Sequence, residues 1–247
     1  METHSTRNSQ TLKLSQLLET GTVGKRFNKP MNTKPMINYT KEQLWSLFLF
    51  QFEQLTGKKF EKTEESVTNI SALFYYFLRD ERFLTHQNLR ADLSRPSFGK
   101  GLLIVGGYGI GKTDYMKALE QCFIILKHHR FKIFSTNALV QEFENCETPA
   151  DKKAFYNRMN LGVNLYDDIT TERVASHYGH VNLLKEILEE RYMRSKLTHA
   201  TANYKEGGEN TVEAALLYIA ECYGSRLYDR VFEMFNIVVF EGKSFRR

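Results

Sequence analysis

Three cysteines, Cys122, Cys146 and Cys222, are spread over 247 residues, and no C-x-x-C occurs. That spacing suggests neither a zinc site nor a disulfide framework, so reduced, buried thiols are expected. No run approaches 18 uncharged apolar residues, so no membrane-spanning helix and no membrane partner are expected. The first residues lack the apolar stretch of a secretory signal, and a cytoplasmic location is the expectation. With 42% hydrophobic and 26% charged residues the composition is that of a soluble globular chain. The length suits one sizeable domain and a smaller one.

Negative charge is scarce at the N-terminus. Residues 1–35 hold Arg7, Lys13, Lys25, Arg26, Lys29 and Lys34 against Glu2 and Glu19, a balance of +4 out of a total of +5. A basic tail on a near-neutral body suits contact with nucleic acid or an acidic surface, and it suits a solvated tail equally. Residues 1–37 read as a basic, disordered tail. Its one apolar cluster, Leu12, Leu14, Leu17 and Leu18, is too short for a stable helix alone.

Residues 38–95 read as a small helical region. Thr40-Lys41-Glu42-Gln43 is a capping-box pattern, and that helix should stop at Gly57. A second helix should start after Thr63. The region carries Trp45, Phe48, Phe50, Phe52, Phe74, Tyr75, Tyr76 and Phe77. Two helices have too little mutual surface to bury so many rings, so some should pack on the neighbouring domain or on a partner.

From residue 97 strand and helix patterns alternate, which argues for a parallel sheet with helices on its faces. Strands are predicted at 102–105, 131–135, 162–166, 197–202 and 236–240. Helices are predicted at 112–127, 137–158 with a break near Pro149, 180–195 and 211–234. Between the first strand and helix lie Gly106-Gly107-Tyr108-Gly109-Ile110-Gly111-Lys112-Thr113, which fit G-x-x-x-x-G-K-[ST]. Glycines let successive N–H groups close around phosphate oxygens, and the following helix turns its positive end to the same anion. Lys112 would reach the β- and γ-phosphates and Thr113 would ligate Mg²⁺; Asp114 opens the helix beside them.

Such a loop needs a carboxylate at the end of a neighbouring strand. Asp167 would hold the metal through water, and Asp168 would orient or deprotonate the attacking water. The stretch 196–203 is a strand ending in Asn203, placed to sense a γ-phosphate or fix a water, although Asn at a strand end is also ordinary turn chemistry. Arg226 and Arg230 are four residues apart on one helix face. In nucleotide-driven oligomers such an arginine stabilises transition-state charge in the neighbouring subunit.

The P-loop, the Asp167-Asp168 strand end, the strand ending at Asn203, and the Gly224-Ser225-Arg226…Asp229-Arg230 tail with Ser244-Phe245-Arg246 together resemble the DnaC/IstB-like branch of the AAA+ ATPases. The resemblance covers residues 97–247. It implies an AAA+-type P-loop NTPase of the α/β class, with a parallel five-stranded sheet, flanking helices and a small helical N-terminal region. It also implies ATP and Mg²⁺ as cofactors, with Asn203 as first sensor, Arg230 as arginine finger and Arg246 as a second-sensor-like nucleotide contact. Arg191 matches a recurrent Arg-Tyr of the family, with its role left open. Proteins of the DnaC type bind a replicative hexameric helicase through an N-terminal helical region, here 38–95, load it onto single-stranded DNA and self-associate with ATP. IstB-type proteins serve a transposase instead. A nucleotide-gated scaffold without hydrolysis is the reading from another class. DNA contacts are expected from Lys152, Lys153 and Arg158. Asp168 stands where many relatives carry Glu, which suits slow turnover.

Overall fold

In the computed structural model, residues 39–176 and 180–245 are described. Leu102 to Val105 are wholly buried and form the middle of β1 (Gly101–Gly106). A strand covered on both faces reads as an unbroken apolar run, and β1 is covered on both. Leu102 and Ile104 enter one core, Leu103 and Val105 the other. β1 pairs in parallel with β6 (Thr198–Asn203) on one side and β7 (Phe235–Phe240) on the other. β3 (Asn164–Ile169) joins β6, and β2 (Lys132–Ser135) closes the sheet at an edge, giving the order β2-β3-β6-β1-β7. The five-stranded parallel sheet expected from the sequence is present. A hairpin of β4 (Ala175–Ser176) and β5 (His180–Val181) stands apart from it.

One layer holds α1 (Lys41–Thr56), α2 (Glu64–Phe77), a 3-10 turn (Glu81–Thr85) and α3 (Lys112–Leu126). The capping box is made as its residues predict: the Thr40 N–H donates to Gln43 Oε1 at 2.8 Å, and Thr40 Oγ1 accepts from the Gln43 N–H at 3.2 Å. The helix ends at Gly57, with φ at +68°. The surplus rings go onto the sheet layer. Phe48, Phe52 and Phe60 surround Tyr115 of α3 with centroids 5.5–6.0 Å apart, and Phe77 packs on Phe123, Phe131 and His199. The described residues therefore form one compact unit. The first 38 residues, including the basic tail and its leucines, lie outside the described part.

The other layer holds α4 (Thr136–Glu144), α5 (Pro149–Met159), α6 (Leu183–Met193), α7 (Val212–Tyr223) and α8 (Ser225–Met234). Two predicted helices are thus pairs. Pro149 restarts one at its first position behind the Thr148–Asp151 capping box. The other breaks at Gly224, where φ 86° and ψ 161° exclude a side chain. The third and fifth predicted strands also move. β3 begins at Asn164 and carries Asp167 and Asp168 within it, and β7 starts one residue early.

Arg191, whose role the sequence left open, is fully buried. Its guanidinium donates to Thr198 Oγ1 (2.8 Å) and to the carbonyls of Met159 (2.6 Å), Gly162 (3.1 Å) and Leu197 (2.7 Å). It pins the N-terminal ends of β3 and β6 together, opposite the P-loop. A buried charge is tolerated only with such a set of acceptors.

Two expectations follow. Phe48→Ala should cost about 3–5 kcal/mol of stability in urea, with one unfolding transition for helices and sheet alike; two separate transitions would contradict a shared core. Burial drives His199 down to about 3 and His129 to about 4. A folded-state pKa below the unfolded value of about 6.5 gives stability that is complete above that value and is lost as the pH falls through it. His199 alone should contribute a slope of about 1.4 kcal/mol per pH unit between pH 6 and 5. Equal urea midpoints at pH 7 and pH 5 would contradict this.

Candidate nucleotide site

The P-loop runs from the end of β1 into α3. Gly111 has φ +93°, and a Cβ there would lie 2.7 Å from the Tyr115 ring, so only glycine fits at the mouth of the helix. Lys112 is 4% exposed. Its Nζ donates to the carbonyls of Gly106 (2.8 Å) and Gly107 (2.7 Å) and to Asn203 Oδ1 (2.7 Å). Asn203 closes β6, which lies beside β1, and parallel register sets Gly106 opposite Asn203. The Asn203 amide nitrogen donates to Asp168 Oδ1 at 2.9 Å. One amide thus links the loop lysine to the acid of the next strand.

Asp167 is held from the other side. The Thr113 hydroxyl donates to Asp167 Oδ1 at 2.9 Å, and the Thr201 hydroxyl donates to the same oxygen at 2.7 Å. Thr201 Oγ1 also accepts from the Asp168 N–H at 2.8 Å. Asp168 lies at φ +58°, where the β3–β6 register shifts between Tyr166 and Ile169. That irregularity lets two adjacent aspartates both serve the site, whereas a regular strand would turn them to opposite faces. A left-handed conformation at a non-glycine residue costs about 1 kcal/mol. The Thr136 and Thr171 hydroxyls, both donating to the Asp168 carbonyl, hold it there.

The structure thus gathers Lys112, Asn203 and Asp168 in one run of hydrogen bonds and Thr113 and Asp167 in another, with Thr201 joining the two. Asp114 occupies the first turn of α3, and Tyr108 is exposed on the loop. The Phe245 N–H donates to Gly109 O at 2.9 Å, so the end of the described chain rests on the P-loop. Arg246 lies outside the described residues.

Other candidates stand elsewhere. Arg230 packs against α6, its guanidinium 4.6 Å from the Tyr192 ring centre and 3.8 Å from Glu189. Within one chain its contacts are to that helix and not to the P-loop. Arg226 is exposed on the same helix as Arg230. On α5, Arg158 pairs with Glu142 and lies over Phe155, and Lys152 lies over Phe143; Lys153 is exposed. Thr201 was not singled out from the sequence. The available signal was strand alternation, since residue 201 shares a face with residue 203.

The residues fit a nucleoside triphosphate with its magnesium. The loop backbone is held close by its glycines, a Cβ at Gly106 or Gly111 meeting Ile110 or Tyr115, and a buried ammonium and a hydroxyl–carboxylate pair stand beside that loop. Among the described residues no group of three or more His, Cys, Asp or Glu side chains could hold a metal. A metal here would be held by Thr113 and Asp167 together with the phosphates. The sheet order, the loop and the carboxylates on the neighbouring strand give the chain the α/β fold of P-loop NTPases.

No protein-family model matches the chain, and no curated protein sequence does. Among solved structures, that of the DnaC helicase loader is similar over 82% of this chain and 100% of its own, at 20% identity and a TM-score of 0.53. That likeness shows the shared fold. The structures of DnaI (19% identity, 77% of this chain and 89% of that one, TM-score 0.44) and of AMPPCP-bound DnaA from Aquifex aeolicus (15%, 74% and 48%, 0.45) are more distant.

Thr201→Val keeps the shape of the side chain and leaves the Asp168 N–H without its acceptor. It should cost about 1–3 kcal/mol in urea unfolding. A wild-type midpoint would show that Thr201 does not fix the strand end.

Proposed function

We propose that this chain binds ATP with Mg²⁺, hydrolyses it slowly, and uses the cycle to load a replicative hexameric DNA helicase onto single-stranded DNA. The observation that carries the ATPase reading is the Asn203 amide held between Lys112 and Asp168. On this reading Lys112 moves from loop carbonyls to the β- and γ-phosphates. Thr113 and, through water, Asp167 would hold the metal, which supplies charge neutralisation to the phosphates. Asp168 orients the attacking water, and Asn203 touches both ends of the reaction, so it senses whether the γ-phosphate is there. A shorter acid than Glu holds that water less closely, which suits slow turnover.

Loading is supported by the fold shared with the DnaC helicase loader and by the resemblance of the tail residues, and fold alone does not fix a partner. The helical region 38–95 is the proposed helicase-docking surface. Phe50 and Leu55 are exposed on α1, at 57% and 48%. Arg230 acts across a subunit interface in an ATP-dependent assembly and Arg246 contacts nucleotide. Lys152 and Lys153, with Arg158 where its pairing to Glu142 opens, meet DNA phosphates.

Titration of a fluorescent ATP analogue with steady-state turnover tests the engine. Lys112→Ala should weaken binding at least about 100-fold. Asp168→Asn should bind within a few fold of wild type and lose about 10²–10³ in kcat. Undiminished binding by Lys112→Ala would sink the reading. For the DNA contacts, replacing Lys152 and Lys153 with Ala should reduce the log–log salt slope of single-strand binding by about 1–2. An unchanged slope would place the contacts elsewhere.

A further inference from the structure

Tyr223 is the last residue of α7 and is 1% exposed. Its hydroxyl has two partners, both on the segment that leaves β3. It accepts from the Thr170 N–H at 2.8 Å and donates to Glu172 Oε1 at 2.5 Å. Burial first, then the neighbouring Glu172 charge, keeps this phenol protonated and therefore a donor. Glu172 Oε2 is buried with no hydrogen-bond partner among the described residues, so Tyr223 is the side chain that satisfies this carboxylate.

Thr170 lies at φ +74°, two residues beyond Asp168 at +58°. Two non-glycine residues in that region need outside support. Asp168 receives it from β6 through Thr201 and Asn203, and Thr170 from α7 through Tyr223. Immediately after Tyr223, Gly224 turns the chain into α8, whose buried face carries Leu227 and Val231 and whose other residues include Arg226 and Arg230. The continuous chain of contacts is therefore Asn203, Asp168, Thr170, Tyr223, Gly224 and α8.

We propose that Tyr223 and Glu172 are a positioning pair that ties the Asp168 strand end to the arginine-bearing helix, so that nucleotide state at the P-loop sets the placement of α8. The inference rests on the ATPase reading above. The strand end holds two non-glycine residues in the left-handed region, and α8 is joined to α7 through a single glycine. A rearrangement at Asp168 reaches Thr170 within two residues, and the Tyr223 hydroxyl passes it to the start of α8.

The test is backbone hydrogen exchange of residues 225–231 in the full chain, with and without a slowly hydrolysed ATP analogue and Mg²⁺, alongside analogue affinity and steady-state turnover. Wild type should show nucleotide-dependent exchange in α8. Tyr223→Phe should bind the analogue within about 2-fold of wild type, lose the exchange response, and turn over at least about 10-fold more slowly at unchanged KM. Glu172→Gln keeps the volume and replaces the charged acceptor with a neutral one. It should give a smaller loss of the same kind, and it carries the test if Tyr223→Phe does not fold. A variant that binds nucleotide normally and retains the full α8 response overturns the proposal, as does a wild type whose α8 ignores bound nucleotide. A wild type that binds no nucleotide overturns the ATPase reading itself, and this inference with it.

Discussion

A lysine ammonium shut away from water must be surrounded by oxygen, and the site is built around meeting that demand at Lys112. Two of its acceptors are carbonyls of its own loop and the third is the Asn203 side chain. The third requires β6 to lie beside β1 and to end level with Gly106, which the parallel register provides. It also fixes the orientation of the amide, because an oxygen turned to Lys112 leaves the nitrogen to donate to Asp168. Desolvation at one lysine thus dictates which strand neighbours the P-loop and how the next acid is held.

The remainder of the molecule holds those strand ends level. At the far end of the sheet Arg191 gathers three carbonyls and a hydroxyl, and so fixes β3 and β6 relative to each other. On one face the rings of α1 and α2 close over α3, which carries Lys112 and Thr113 at its start. Asn69 of α2 donates to the Glu241 carbonyl at 2.7 Å, just ahead of the segment that reaches Gly109. The N-terminal helices are therefore in physical contact with both ends of the phosphate loop's surroundings.

The sequence discloses what local chemistry determines. The P-loop declares itself by glycine spacing between an apolar run and a helical pattern, Thr40 and Gly57 mark a helix from both ends, and Pro149 marks a break. It is less informative where three-dimensional neighbours decide. Gly224 sits inside a helical apolar pattern, and its break depends on how α8 must turn to feed β7. Thr201 belongs to no local motif, and the Arg-Tyr pair at Arg191 carries no role on its face; both roles depend on partners distant in sequence, Asp168 for Thr201 and Met159 for Arg191. The bulge that brings both Asp167 and Asp168 to one site is likewise a property of the β3–β6 pairing. The aromatic surplus of 38–95 pointed to the neighbouring domain or a partner, and only the fold shows that Tyr115, Phe123 and Phe131 take it up.

On the proposed reading Asn203 and Asp168 act as one unit at the γ-phosphate. Turnover of Asn203→Ala, Asp168→Ala and the double variant measures this directly, each corrected for nucleotide affinity. If the two act together, each single variant loses about as much kcat as the double, a coupling of at least about 10-fold. If the losses multiply, the hydrogen bond between them has no part in the chemistry, and Asn203 is a structural amide that caps a buried lysine.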